Sequence, residues 1–242
     1  MASASTQQAL PSLTDSEPNR RRLLEDLGLV MLVGFAPLIV SAVYLLFAPF
    51  QFNPSFVKHR FSGGLAQEFA VLILFVSLLR RQGRGLKSVG LEWKWTDLPK
   101  AFGLFVLSYF GSSLLFAAAE IAYHAWKHSY FHFRDTSTLF AGVPILLMLV
   151  YGIAAACFEE TLVWGYLMTE LIATSCPAWL AAGASVAIQV SYHLYYGVGG
   201  ALFVGFGFIV SAVYFARSRR LTPVILSHML WDLTATYWQW HR

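Results

Sequence analysis

Two adjacent glutamates, Glu159 and Glu160, lie in the middle of an apolar stretch, residues 143–172, that contains one other charged residue, Glu170. An ionised acid near the centre of a membrane-spanning helix costs about 2.5–3.5 kcal/mol, so such residues normally face a polar cavity and mark a functional site. Adjacent positions of a helix point about 100° apart. We therefore expect one glutamate to face a cavity and the other to face a neighbouring helix.

Two further pairs of polar residues interrupt later apolar stretches. Gln189 precedes His193 by four residues, and His228 precedes Asp232 by four. Positions four apart share one face of a helix, so each pair should point in one direction. A buried carboxylate can take a proton from water and return it to a leaving amine, and an imidazole can hold that water or donate to an oxyanion. The residue types therefore suit chemistry that moves protons inside the membrane.

The elements that carry these residues are predicted to span a membrane. Hydrophobic residues make up 57% of the chain and charged residues 12%, about half the charged fraction of a soluble domain. We predict an all-α, polytopic integral membrane protein with about seven transmembrane helices and the active site inside the helical bundle. The apolar runs cover residues 27–50, 61–79, 98–123, 139–173, 178–195, 199–215 and 223–238. The fourth run exceeds the ~20 residues that a bilayer requires, so it should tilt or extend beyond the hydrocarbon.

Basic residues predict the orientation, because loops rich in Lys and Arg stay on the cytoplasmic side. With the N-terminus inside, twelve of the 17 Lys and Arg residues fall in inner segments. We expect a cytoplasmic N-terminus, a C-terminus on the opposite side, and a location in the cell membrane. The net charge of +4 then reflects topology, and the loop-bound basic residues give no reason to expect nucleic-acid binding.

The N-terminal segment differs from the rest of the chain. It is polar and lacks hydrophobic periodicity, so we predict a disordered cytoplasmic tail over residues 1–22 and a single transmembrane domain over residues 23–242. The apolar run after Arg22 is longer than a signal-peptide core and reads as a retained anchor. Cys157 and Cys176 are the two cysteines, and they form neither a disulfide framework nor a zinc motif.

Three short motifs occur in order on three separate predicted helices. They are Glu159-Glu160-x-x-x-Trp164, Gln189-x-x-x-His193 and His228-x-x-x-Asp232. Over residues 139–238 this pattern resembles the intramembrane glutamic endopeptidases of the CAAX-protease and bacteriocin-processing family, also called the abortive-infection family. The family motifs read Glu-Glu-x-x-x-Arg, Phe-x-x-x-His and His-x-x-x-Asn/Asp, so Trp164 and Gln189 stand where arginine and phenylalanine are usual.

The resemblance implies a role for each matched residue. Glu159 would be the general base, with Glu160 in support, and His193 would help to hold the attacking water. His228 and Asp232 would lie on the side where negative charge develops on the carbonyl oxygen. Asp232 could donate a hydrogen bond if protonated, or orient and charge His228 if ionised, and the sequence leaves both roles open.

Other functions remain open at this stage. Carboxylates with two histidines would also suit a catalytic zinc ion, although the chain has no His-Glu-x-x-His helix; we expect no cofactor. Loss of the motif arginine would fit a catalytically inactive scaffold. A proton-coupled transporter would also need intramembrane acids and histidines, but internal repeats are absent. The expected partners are a peptide or membrane-protein substrate and the lipid bilayer, with the cleavage rule and oligomeric state undetermined.

Overall fold

A computed structural model describes residues 17–47, 54–131 and 142–240 of the chain. The helices are α1 (Glu17–Phe47), α2 (Pro54–Arg81), α3 (Asp97–Lys127), α4 (Ile145–Ala173), α5 (Ala178–Tyr192), α6 (Gly197–Ser218) and α7 (Thr222–Trp240). Short 3-10 turns, Leu86–Val89 and Leu194–Tyr196, precede α3 and α6. No strand occurs in these three described ranges.

The prediction of an all-helical membrane protein is confirmed, because a helix covers most of each of the seven apolar runs. Within the described residues, five helices are long and apolar enough to cross a membrane: Arg20–Phe47, Phe61–Arg81, Asp97–Lys127, Ile145–Ala173 and Leu194–Ser218. Ala178–Tyr192 is apolar but shorter. The chain is therefore a multi-pass membrane protein in which α5 is a short helix packed among longer ones.

Two element boundaries differ from the predicted ones. Helix α1 begins at Glu17, so residues 17–22 of the predicted tail are helical, and residues 1–16 lie outside the described part of the chain. Helix α4 begins at Ile145 rather than at residue 139, after Pro144 in an extended conformation with φ −60° and ψ 139°. Residues 139–141 of the predicted run are not among those described.

Small residues allow α6 to pack closely between α5 and α3. A Cβ atom at Gly205 would lie 2.7 Å from Cγ2 of Val190 in α5. A Cβ atom at Gly207 would lie 3.0 Å from Oγ of Ser112 in α3. Small side chains at such crossings let the backbones of membrane helices approach each other. Helix α6 therefore packs against the last turn of α5, which is followed by the predicted site residue His193.

Polar contacts join several chain segments at one end of the bundle. A guanidinium nitrogen of Arg20, at the start of α1, donates to the backbone carbonyl of Thr174, after α4, at 3.3 Å. Arg84, which follows α2, forms a buried ion pair with Glu170 near the end of α4 at 2.5 Å. The start of α1, the α2–α3 connection and the α4–α5 connection therefore lie at the same end.

The α2–α3 connection is also held against the turn between α6 and α7. Arg220 binds the fully buried carboxylate of Asp97 through two nitrogens, at 2.6 and 3.2 Å. The backbone N–H of Leu221 donates to the carbonyl of Gly90 at 2.9 Å. Gly90 has φ +84°, and a Cβ atom there would lie 2.4 Å from the carbonyl oxygen of Arg219, so only glycine fits. These contacts set where α7 begins.

Glu92 completes this connection at the surface. Its backbone carbonyl accepts a hydrogen bond from the hydroxyl of Thr222 at 2.8 Å. Its side chain is exposed to solvent beside two lysines, and the charges of Lys94 and Lys87 lower the pKa of Glu92 below its usual value. The backbone of Glu92 therefore holds the start of α7, while its side chain belongs to an exposed charged surface.

Candidate active site

A chamber of about 560 Å³ lies inside the bundle, and residues from all seven helices line it. All five predicted site residues are among them: Glu159, Glu160, His193, His228 and Asp232. They come from α4, the end of α5 and α7, which are far apart along the chain. Tyr192 and Glu159, for example, are 33 residues apart in sequence but in contact. The structure thus brings the three motifs to one cavity.

Glu160 contacts His228 across the interface between α4 and α7. The side chain of Glu160 is 1% exposed, and its Oε1 atom lies 2.6 Å from Nδ1 of His228. The amide nitrogen of Gln189 donates to the same oxygen at 3.4 Å. The other carboxyl oxygen of Glu160 is buried without a hydrogen-bond partner among the described residues. Glu160 is therefore placed to orient the His228 ring.

Glu159 points in a different direction and reaches α5. The hydroxyl of Tyr192 donates to its Oε2 atom at 2.6 Å. Glu159 is only partly buried and borders the chamber. The two carboxylates diverge, as expected for adjacent positions on a helix. Glu160 meets α7 and Glu159 meets α5, yet both line the same cavity.

His193 lies where α5 ends. Its φ of −88° and ψ of 1° depart from helical values, and the chain continues into the turn Leu194–Tyr196. Its Nδ1 atom lies 2.7 Å from the backbone carbonyl of Gln189. A carbonyl can only accept, so Nδ1 carries the proton in this contact. In the neutral ring, Nε2 is then an acceptor.

Asp232 lies further from His228 than the four-residue spacing suggests. Its Oδ1 atom is 3.7 Å from Nε2 of His228, which exceeds hydrogen-bond distance. The Asp232 side chain is 33% exposed. A Cβ atom at Gly152 would lie 3.0 Å from Cβ of Asp232, so the glycine lets α7 approach α4 here. The carboxylate in hydrogen-bond contact with His228 is that of Glu160.

The segment after the two glutamates is π-helical from Thr161 to Met168, and every residue in it is buried. The four-residue spacing of an α-helix therefore does not continue past Glu160, and π-helical turns occur frequently at functional sites. Trp164, at the position of the motif arginine, is 0% exposed, and its indole nitrogen has no hydrogen-bond partner in the described part of the chain. Among the described residues, the polar partners of Glu160 are instead His228 and Gln189.

Several residues of the chamber were missed by the sequence analysis. Tyr192 contacts Glu159 directly, and Tyr195 and Tyr196 also line the cavity. Three tyrosines within three residues of His193 were the available signal. Gly152 left no chemical signal, because its importance comes from the close approach of α7 to α4.

The two imidazoles that a metal ion would require each use one ring nitrogen on another group. His228 uses Nδ1 on Glu160, and His193 uses Nδ1 on a backbone carbonyl. Over residues 17–47, 54–131 and 142–240, no three His, Cys, Asp or Glu side chains converge as a metal site would require. Each imidazole keeps its Nε2 atom for other contacts.

The fold and the chamber define a multi-pass helical membrane protein whose acids and imidazoles share one interior cavity. Residues 141–234 match the family model described as type II CAAX prenyl endopeptidase Rce1-like. This match confirms the resemblance to the CAAX-protease and bacteriocin-processing family over the segment that carries the three motifs. The family supports endopeptidase activity of the CAAX-protease type in general. Neither a curated protein nor a solved structure matches the chain.

Proposed function

We propose that this protein is an intramembrane endopeptidase that hydrolyses a peptide bond near the membrane boundary with a glutamate-activated water. The observation that carries the proposal is the shared chamber: Glu159, His193 and His228 line it together. Among the chain's described polar groups, these supply a base, an acceptor for water and a donor for the carbonyl oxygen. Each function comes from a different helix or helix end.

Glu159 is the proposed general base. It takes one proton from a water molecule, and the resulting hydroxide attacks the carbonyl carbon of the peptide. The Nε2 atom of His193 accepts the second hydrogen of that water and so directs its lone pair toward the substrate. Glu159 then returns its proton to the amide nitrogen as the C–N bond breaks. General acid–base catalysis of this kind contributes roughly 10²–10⁴-fold to the rate.

His228 is the proposed donor to the oxyanion. Its Nδ1 atom donates to Glu160 at 2.6 Å, so Nε2 donates to the carbonyl oxygen when the ring is an imidazolium, with a proton on both nitrogens. The neighbouring carboxyl groups of Glu160 and Asp232 favour that charged form. Donors that are already oriented stabilise this charge without reorganisation, which is why their removal costs so much rate. Asp232 borders the same side of the chamber and offers a second polar contact.

The proposed substrate is a peptide or a membrane protein that enters from the lipid bilayer, and no cofactor is required. We propose a cytoplasmic N-terminus, a C-terminus on the opposite side and a location in the cell membrane. The polar contacts of Arg20 and Arg84 support this topology, because they place two basic segments, the start of α1 and the α2–α3 connection, at the same end of the bundle as the α4–α5 connection. Labelling of single cysteines introduced at residues 20 and 128 with an impermeant thiol reagent, in a background with Cys157 and Cys176 replaced by serine, would test it.

The test of the proposed function is cleavage of a library of membrane-tethered peptides by purified protein in lipid. Glu159→Gln removes the base but keeps the shape of the side chain. Glu120→Gln is the matched control, because Glu120 lies in α3 and accepts a backbone N–H from Phe131 outside the chamber. We expect the first variant to lose at least ~100-fold in rate and the second to retain activity.

A chelator distinguishes the glutamate mechanism from a zinc-dependent one. Activity that survives a strong chelator but is lost in Glu159→Gln supports the proposal. Activity that the chelator abolishes and zinc restores would contradict the metal-free mechanism. A folded wild-type protein that cleaves no peptide would instead favour a scaffold, for which the buried Trp164 at the motif arginine position is the structural reason.

A further inference from the structure

Two residues of α5 connect the two glutamates of the chamber. The hydroxyl of Tyr192 donates to Oε2 of Glu159 at 2.6 Å and also contacts the amide oxygen of Gln189. The amide nitrogen of Gln189 donates to Oε1 of Glu160 at 3.4 Å. A continuous chain of hydrogen bonds therefore runs from Glu159 through Tyr192 and Gln189 to Glu160.

The two middle residues of this hydrogen-bonded path are buried and lie on one turn of α5. Gln189 is 0% exposed and Tyr192 is 4% exposed, and residues three apart lie on the same face of a helix. The backbone carbonyl of Gln189 also holds Nδ1 of His193 at 2.7 Å. One turn of α5 thus contacts three of the five proposed site residues.

We infer that Gln189 and Tyr192 are positioning residues that hold Glu159 and Glu160 in their catalytic geometry. This inference rests on the proposed function of the same chamber. Phenylalanine, which the second motif usually carries at position 189, has no group that could contact either Tyr192 or Glu160. A glutamine at this position is therefore a departure that adds a polar connection between the two acids.

With one proton shared between the two carboxyl groups, the same links would also couple the protonation of the two acids. The hydroxyl of Tyr192 faces two oxygens but carries one proton. When Glu159 is ionised and receives that proton, the Tyr192–Gln189 link is satisfied if the Gln189 amide turns its nitrogen toward Tyr192. Its oxygen then faces Glu160, which donates to it as a carboxylic acid.

The same hydrogen-bonded path can also be satisfied with every donor and acceptor reversed. When Glu159 carries a proton, it donates to Tyr192, and Tyr192 donates to the oxygen of Gln189. The amide nitrogen of Gln189 is then free to donate to an ionised Glu160. Each arrangement satisfies every hydrogen bond with a single proton shared by the two carboxyl groups. The side chains of α5 would thereby link the protonation of Glu159 to that of Glu160.

The experiment compares Tyr192→Phe, Gln189→Met and the double variant in the peptide-cleavage assay. Both substitutions keep the side-chain size and remove the hydrogen-bonding groups. Ser185→Ala is the matched control, since Ser185 is also buried on α5 but donates to the carbonyl of Val163, away from the carboxylates. Thermal unfolding in detergent, measured for all four variants, identifies any loss caused by misfolding.

We expect each single variant to lower kcat by about 10–100-fold, because a displacement of about 1 Å at a catalytic group can cost that much. KM should stay within about 2-fold, since neither residue is proposed to bind substrate. The double variant should lose no more than about 3-fold beyond the worse single variant, because residues of one network are not additive. Ser185→Ala should keep kcat within about 2-fold.

Two results would overturn the inference while leaving the proposed function intact. In the first, the wild type cleaves and Glu159→Gln does not, yet both α5 variants keep the wild-type kcat. In the second, the α5 variants raise KM at unchanged kcat, which would make them substrate contacts. If Glu159→Gln keeps full activity, the proposed function itself fails, and that failure is recognised independently of any α5 variant.

Discussion

Nδ1 of His228 lies 2.6 Å from Oε1 of Glu160, on a different helix, and this contact is shorter than the contact of His228 with Asp232 in its own motif. The second distance, from Nε2 of His228 to Oδ1 of Asp232, is 3.7 Å. Orientation of the His228 ring therefore depends on the packing of α4 against α7. The Nε2 atom is left to face the chamber.

This relationship predicts that Glu160 matters more to the reaction than Asp232. We expect Glu160→Gln to lower kcat by about 100-fold, because it weakens a charge-assisted hydrogen bond that orients the oxyanion donor. Asp232→Asn should lower kcat by about 10-fold or less, since its contact with His228 exceeds hydrogen-bond distance. Steady-state kinetics of both purified variants measure this difference. Equal losses in the two variants would show that Asp232 moves into contact during the reaction.

Gly152 is predicted to be necessary for the geometry of Asp232. A Cβ atom at position 152 would lie 3.0 Å from Cβ of Asp232, so even alanine requires α7 to shift by a few tenths of an ångström. We expect Gly152→Ala to lower peptide cleavage several-fold and Gly152→Val to lower it further, as small displacements reduce rate steeply.

Gly103 provides the control for this prediction. A Cβ atom at Gly103, in α3, would meet nothing within 4 Å. Gly103→Ala should leave cleavage unchanged and stabilise the helix by up to ~1 kcal/mol, because alanine has the higher helix propensity. Thermal unfolding of both alanine variants distinguishes a local displacement from a global loss of stability. A fully active Gly152→Val variant would contradict the close approach.

The Asp97–Arg220 ion pair is predicted to stabilise the connection that sets the start of α7. Asp97→Ala leaves the mostly buried Arg220 side chain without its carboxylate. Breaking a buried pair by removing one partner costs roughly 3–5 kcal/mol, so we expect a clear drop in the unfolding midpoint in detergent. Replacing both residues, as Asp97→Leu with Arg220→Met, should recover much of that loss. Glu92→Gln should lower the midpoint far less than Asp97→Ala, because the Glu92 carboxylate lies 3.8 Å from Arg220 and is 43% exposed.

Gln67 is predicted to compensate for a proline inside α1. Pro37 lacks an N–H, so the carbonyl of Val33 has no helical partner four residues later. The amide nitrogen of Gln67 donates toward the carbonyls of Val33 and Gly34 at 3.4 and 3.3 Å. Gln67→Leu should therefore cost about 1 kcal/mol, and the cost should shrink when Pro37→Ala restores the N–H. A double-mutant cycle on unfolding free energies measures this coupling, and strictly additive losses would disprove it.

Much of the helical architecture could be predicted from the sequence, since long apolar runs specify membrane helices without reference to their neighbours. The boundaries were less predictable. Pro144 delays the start of α4, and α1 extends back to Glu17 through a polar segment that showed no hydrophobic periodicity. The π-helical turn after Glu160 had no sequence signal, because it depends on how a fully buried segment packs.

The residue types of the candidate site were also readable from the sequence: two adjacent acids, two imidazoles and an aspartate, each on an apolar helix and therefore too costly to be incidental. The sequence alone determined that these groups exist, that adjacent glutamates must diverge, and that the chain crosses a membrane. The tertiary structure decided the partners. His228 meets Glu160, and Glu159 meets Tyr192, because helix packing between distant segments sets these distances, and spacing along one helix cannot specify a contact with another.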